Sequence, residues 1–197
     1  RCRNIVRGLL NFARESHVSK APTDIAALIG ELVSVMSPQA RETGIELRAE
    51  IAPDLPKAVV DADQIRQMLI NLVQNAIDAV EHGGEVVVRA RHDAADEAIE
   101  IAVSDNGCGI PKQVQDKLFT PFFTTKEPGH GTGLGLAMVY GAVKIPSGDI
   151  TLDSEPGRGS VFTVSLPLTP TGQEQDGATA AMTDEPEKED AEDERPQ

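Results

Sequence analysis

The chain has no tryptophan, one tyrosine and five phenylalanines in 197 residues. Its core must be built from Leu, Ile, Val and Met rather than from aromatic packing. Only two cysteines occur, Cys2 and Cys108, with neither a disulfide framework nor a metal-ligand spacing around them. Reduced thiols and a cytoplasmic setting are the expectation. No apolar run approaches the ~18–20 residues of a membrane-spanning helix, and a secretory leader is not expected. Direct membrane contact is not expected, although a longer parent could be membrane-anchored. Basic charge is scarce: 18 Lys and Arg against 32 Asp and Glu give a net charge of −14. Residues 174–197 alone hold ten acidic and two basic side chains. The remainder is also acidic, which argues against nucleic acid as a partner.

Glycine, by contrast, is concentrated where it matters. Residues 129–137 read Gly-His-Gly-Thr-Gly-Leu-Gly-Leu-Ala and lead into the helical apolar pattern of Leu134, Leu136, Ala137, Met138, Val139, Ala142 and Val143. Bare amides feeding a helix N-terminus make an anion site. A merely flexible glycine loop would read the same way.

The elements follow from periodicity. Ile25, Leu28, Ile29, Leu32, Val33 and Met36 predict a helix over 25–42, with Asp24 as N-cap and Gly44 as stop. Alternation predicts a strand over 45–51, and Val59–Val60 a short one. Ile65, Met68, Leu69, Leu72, Val73, Ala76, Ile77 and Val80 predict a second helix over 61–80, ended by Gly83-Gly84. Residues 85–91 and 98–104 read as an antiparallel hairpin, 113–118 as a short helical turn, and 134–145 as a third helix stopped by Pro146. A last strand pair spans 149–154 and 160–167. The fold class is α+β, a two-layer α/β sandwich with a mixed, mostly antiparallel sheet packed on three helices. Residues 1–17 carry apolar positions and Arg1, Arg3, Arg7 and Arg14, and read as the end of a longer packing helix. Residues 18–22 read as linker, 23–167 as the domain, and 168–197 as a disordered acidic tail.

Three further segments carry polar chemistry. Asn71 and Asn75 stand one turn apart, with Gln67, Gln74 and Asp78 in the same sector. An amide carbonyl suits a magnesium ion that keeps its waters and bridges phosphates, and a solvated helix face would look alike. Residues 105–110, Asp-Asn-Gly-Cys-Gly-Ile, follow a strand. They fit a carboxylate facing a planar amine, or simply an Asx turn. Residues 119–126, Phe-Thr-Pro-Phe-Phe-Thr-Thr-Lys, hold three of the five Phe. They are either a satellite cluster under a loop or the latch of a lid ending in a cation.

In order, the segments are Asn71-Leu-Val-Gln-Asn75-Ala, Asp105-Asn-Gly-Cys-Gly109, Phe119-Thr-Pro-Phe-Phe123 and Gly131-Thr-Gly-Leu-Gly135-Leu, closed by Glu155-Pro-Gly-Arg-Gly-Ser160. Residues 22–167 thereby resemble the catalytic ATP-binding domain of bacterial sensor histidine kinases, of the superfamily shared with gyrase B and heat-shock chaperones. The form of residues 119–126 is most similar to the nitrogen-regulation type.

The resemblance implies ATP and Mg²⁺ as cofactors. It implies that Asn75, with Asn71, holds the metal, and that Asp105 binds the adenine amine in a pocket shaped by Ala79, Gly107, Gly109 and Ile110. Gly131, Thr132, Gly133, Leu134, Gly135 and Leu136 would wrap the triphosphate. Residues 111–132 would form a mobile lid, with Lys126 reaching the γ-phosphate and sharing catalysis with Asn71. Ser160 or Thr163 would support the adenine. Segment 1–17 resembles the end of the family's dimerisation domain.

None of His17, His82, His92 and His130 lies in a phosphoacceptor context. The acceptor is therefore expected on the parent's dimerisation domain, outside this chain. The parent would be a homodimer and would relay phosphate to a response regulator receiver domain. Two departures stand out. Ile145-Pro-Ser-Gly148 replaces the usual Gly-Gly pair, and Asp78 stands where many members carry Lys, removing a phosphate contact from that helix. A clamp-type ATPase and a nucleotide-sensing interaction module are the alternative functions.

Overall fold

The computed structural model describes residues 19–126, 131–144 and 147–169. The expected packing helix at 1–17, the acidic tail beyond 169, Gly129, His130 and Pro146 lie outside the described residues. The elements are β1 (Ala21–Thr23), α1 (Ile25–Glu42), β2 (Glu46–Ile51), β3 (Ala58–Val60), α2 (Ala62–Ala79), β4 (Glu85–Asp93), β5 (Ala98–Asp105), α3 (Lys112–Gln115), α4 (Gly135–Lys144), β6 (Asp149–Glu155) and β7 (Gly159–Pro167). Five strands form one sheet in the order β2-β4-β5-β7-β6. Only the β2–β4 pair is parallel, and the other three are antiparallel.

One face of this sheet carries the helices. Ile29 of α1, Leu69, Leu72 and Val73 of α2, and Val139 and Val143 of α4 share a core with Val86, Ile99, Ile101, Val164 and Leu166. Each large aliphatic side chain buried there contributes about 1.5–3 kcal/mol. The layer is therefore held by branched aliphatics, as an aromatic-poor chain requires. The opposite face is polar. Arg89 bridges Glu50 and Ser104, Arg48 pairs with Glu50 and Glu85, and Arg91 with Glu100.

Both long helices start on aspartates. Asp24 Oδ1 accepts the amide of Ala27 at 2.9 Å. Asp61 Oδ1 accepts those of Asp63 and Gln64 at 3.0 and 3.1 Å, a cap worth roughly 1 kcal/mol. Asp61 Oδ2 is also engaged, by the amide of Ser19 at 3.1 Å. The segment expected as linker is thus partly ordered: β1 pairs antiparallel with β3, with Pro22 opposite Val59. Proline is tolerated because β1 is an edge strand, paired with β3 alone in this two-stranded ribbon.

Gly141 lies exposed within α4, and a Cβ there would meet nothing within 4 Å. Gly141→Ala should stabilise the fold by roughly 0.5–1 kcal/mol, because glycine is a poor helix former. A urea midpoint that falls in this variant would contradict the position's freedom.

Candidate functional site

α2 presents two faces. Its apolar stripe enters the core, and its polar sector runs from Gln67 through Asn71 and Asn75 to Asp78. At the N-terminal end, Gln67 Nε2 donates to Asn71 Oδ1 at 3.5 Å, while Asn71 Nδ2 is buried and has no partner. An orphaned buried donor is costly unless something fills it. The start of α4 faces this amide: a Cβ added to Gly135 would lie 3.8 Å from Asn71 Cγ. The first turn of α4 has no intrahelical partners for its amides. Thr132 Oγ1 accepts the amide of Leu134 at 3.4 Å, and Leu134 is buried while Leu136 packs partly on the core. Bare helix amides beside an unpartnered side-chain donor suit an anion.

The C-terminal end of α2 meets the loop after β5. Cys108 N donates to the Ala79 carbonyl at 3.0 Å. A side chain on Gly107 would overlap that carbonyl, and one on Gly109 would overlap the Glu155 carbonyl. Gly109 also has φ +67, a region L-residues avoid. Asp105 Oδ1 accepts the amide of Gly107 at 2.9 Å, so the Asx turn is real. The amide of Ser160 bonds to the same carboxylate, yet burial dominates and holds the Asp105 carboxyl above its ordinary range. Ser160 is paired in register with Asp105, and its hydroxyl lies 3.0 Å from that of Ser154. Ser154 Oγ accepts the amide of Ile110 at 2.8 Å, and Gln115 Nε2 bonds the Ile110 and Ser154 carbonyls at 2.8 and 3.1 Å. Neither Ser154 nor Gln115 was marked by the sequence, because each acts by holding backbone rather than by belonging to a box.

Thr163 does not join this group. It pairs with Ala102 and Thr151, an odd number of residues from Ser160. Alternation of strand side chains puts it on the polar outer face, opposite Asp105. The expected adenine role therefore rests on Ser160 alone.

Between the two ends of α2 stands Lys126. Its Nζ lies 2.5 Å from Asp78 Oδ2 and 3.4 Å from Asn75 Oδ1. The segment leading to it is folded back on the glycine run. Phe122 N donates to the Gly133 carbonyl at 2.8 Å, and Thr124 Oγ1 sits where a Gly131 side chain would go. Phe119 is half-buried and tilts against Tyr140, with ring centroids 5.6 Å apart. Phe122 instead is 61 % exposed with φ +68, a strained setting for a bulky residue. The Phe cluster is therefore half satellite core and half exposed loop. Among the described residues no cluster of three or more His, Cys, Asp or Glu could cage a metal, and no helix is long and apolar enough to cross a membrane.

The sequence profile of the histidine kinase-, DNA gyrase B-, and HSP90-like ATPases matches residues 60–170. The sensor kinase CckA of Brucella abortus (strain 2308) is 38% identical over 182 residues, covering 85% of this chain but 19% of its own length. The chain thus spans about a fifth of that relative. The crystal structure of full-length ShkA in complex with AMPPNP superposes with a TM-score of 0.76 at 30% identity, over 85% of this chain and 36% of that one. Histidine kinase ThkA in complex with the response regulator TrrA superposes at 0.72 with 27% identity, over 86% and 48%. The α2 polar face, the glycine-bounded Asp105 loop and the α4 entry all fall within the span that the profile matches, and the chain belongs to the family of histidine kinase-, gyrase B- and HSP90-like ATPases.

Proposed function

We propose that this chain is the ATP-binding catalytic part of a cytoplasmic sensor histidine kinase portion, holding Mg·ATP and offering its γ-phosphate to a histidine on the parent's dimerisation domain. The observation that carries this reading is the row of groups along α2. An orphan amide donor and open helix amides lie at one end, a carbonyl and a cation in the middle, and a half-buried carboxylate at the other. That row matches an anion, a metal and an exocyclic amine in turn. Asn75 Oδ1 would hold the metal with Asn71 nearby. One amide carbonyl plus phosphate oxygens is a fitting donor set for Mg²⁺, which keeps several waters. The bound metal would neutralise charge on the phosphates.

The chain's own residues do the positioning. Asp105 accepts the adenine amine, and Ala79, Gly107, Gly109 and Ile110 shape the pocket against the end of α2. The Gly131–Gly135 amides and Lys126 spread the phosphate charge. In phosphoryl transfer this positioning and neutralisation is most of what a protein supplies. The AMPPNP complex of ShkA and the TrrA complex of ThkA support the nucleotide and, for the whole parent, a receiver-domain partner. Homodimerisation of the parent belongs to the same reading, as does the nitrogen-regulation subtype, which the Phe119–Lys126 sequence supports. A clamp ATPase is disfavoured because an amide, Asn71, occupies the place of its water-activating carboxylate, and an amide is no general base.

The test is a calorimetric titration with Mg·ATP, followed by addition of the parent's dimerisation helices. Saturable binding and a phosphohistidine on those helices are expected. Asn75→Ala should weaken Mg²⁺-dependent binding roughly tenfold, the worth of one charge-assisted contact. Fast phosphate release without phosphohistidine would favour the ATPase, and no saturable binding would remove both readings.

A further inference from the structure

Asp78 has no evident place beside a triphosphate. A carboxylate there repels the ligand, and the position carries no cation of its own. Each of its two oxygens nonetheless has a partner. Oδ1 accepts from Gln74 Nε2 at 2.8 Å, and Oδ2 holds Lys126 Nζ at 2.5 Å. The partner comes from 48 residues away in sequence, out of the segment between α3 and α4. The same ammonium reaches Asn75 Oδ1 at 3.4 Å, and Asp78 stands three residues beyond Asn75 on the same helix face. Little else fixes the lysine. Its backbone amide bonds Thr124 Oγ1 at 3.2 Å, but the stem is flexible and its head is a strongly hydrated point charge.

We infer that Asp78 is a positioning residue: it draws the ammonium of Lys126 out of the loop and holds it on the α2 face beside Asn75, so that the cation facing the terminal phosphate is carried by the loop and seated by the helix. The inference rests on the nucleotide reading above. It assigns Lys126 a seat as well as a target. Were Asn75 Oδ1 to hold a metal, the ammonium would give up its contact with that oxygen alone. The bond to Asp78 Oδ2 keeps it a short reach from the phosphates. It also couples two events, because the phosphate gains its cation only when the loop bearing Lys126 lies against α2.

The sign of the effect separates this role from bare electrostatics. Removing a carboxylate near an anionic ligand should tighten binding on charge alone, whereas removing the seat of Lys126 should weaken it. The experiment is a double-mutant cycle on the full chain, reading affinity for Mg·ATP and Mg·ADP and following the melting temperature of each variant. Asp78→Ala is expected to weaken Mg·ATP binding about fivefold and Mg·ADP binding less than twofold. Asp78→Glu, which keeps the carboxylate, should recover most of the loss. In a Lys126→Met background, Asp78→Ala should no longer weaken binding. Tighter Mg·ATP binding by Asp78→Ala, an equal effect on both nucleotides, or an undiminished loss without Lys126 would each overturn the inference while leaving the nucleotide reading intact. An unaltered chain that binds neither nucleotide would overturn that reading and this inference together.

Discussion

Asp105→Ala is expected to weaken Mg·ATP binding by roughly a hundredfold while the domain stays folded. In the proposed function the carboxylate accepts an exocyclic amine, and a hydrogen bond to a charged group contributes about 1.5–3 kcal/mol, or ten- to a hundredfold. It also fixes its own pocket, by accepting the amides of Gly107 and Ser160. Alanine leaves both amides without that acceptor and loosens the loop that an adenine would lie on. Asp105→Asn keeps one acceptor oxygen for Gly107 but turns a donor toward the amine, so its loss should be smaller yet clear. A nucleotide lacking the amine, such as Mg·ITP, should discriminate little between the unaltered chain and Asp105→Ala. A full tenfold or larger difference with that nucleotide would show that Asp105 acts only through the loop.

The same carboxyl gives a pH signature. Burial raises its pKa above 3.8, against the two backbone bonds that lower it. A protonated carboxyl does not accept the amine in the same way, so ATP affinity should fall on acidification at a pH above that of an ordinary aspartate. Stability moves oppositely. The fold disfavours the charged form, so this group's cost to folding is full above the raised value. That cost is relieved as pH falls through it toward 3.8. Binding isotherms across the mildly acidic range, compared with Asp105→Asn, would isolate the effect, and identical profiles for the two chains would remove it.

Gly109→Ala should be strongly destabilising for a single added methyl. The residue sits at φ +67, which costs an alanine about 1–2 kcal/mol, and the methyl would overlap the Glu155 carbonyl. That obstacle is backbone, locked by the β6–β7 pairing up to Glu155 and Gly159, so it cannot swing aside as a side chain would. Overpacking adds about 1–3 kcal/mol. The total of roughly 2–5 kcal/mol is a large share of the 5–15 kcal/mol typical of a domain. Urea unfolding should show a midpoint far below that of Gly30→Ala, a helix position with nothing within 4 Å of the added carbon. Similar midpoints for the two variants would mean that the Asp105 loop tolerates rearrangement.

Much of this was legible in the residues. α1 and α2 could be read because their apolar spacing is a local signal, and the expected Asp24 cap carries its bond, while Asp61, expected as the first residue of its helix, is instead the cap of α2. The hairpins were legible for the same reason. β1 was not, because Ala21-Pro-Thr23 has no alternation of its own and becomes a strand only through β3, some 35 residues later. Ser160 and Thr163, offered as alternatives, lie on opposite faces of one strand by alternation, and only the pairing with Asp105 shows which of them shares its face. The Lys126–Asp78 pair was invisible for a third reason. The sequence reads Lys126 as a phosphate contact and Asp78 as the loss of one, 48 residues apart, and only the fold brings them together. Asp78 in particular looked like a lost contact until its partner was seen.

Asp61 has a consequence of a mechanical kind. One of its oxygens anchors the first turn of α2 and the other grips Ser19, so a single carboxylate joins the strand entering the domain to the helix bearing Asn71 and Asn75. Tension or twist applied ahead of Ser19 would have a direct route, through that one carboxylate, to the first turn of the helix. That helix bears the residues proposed to face the phosphates, and Asp61→Asn, which still caps the helix but cannot accept from Ser19 with its NH₂, is the cut that would slacken the link.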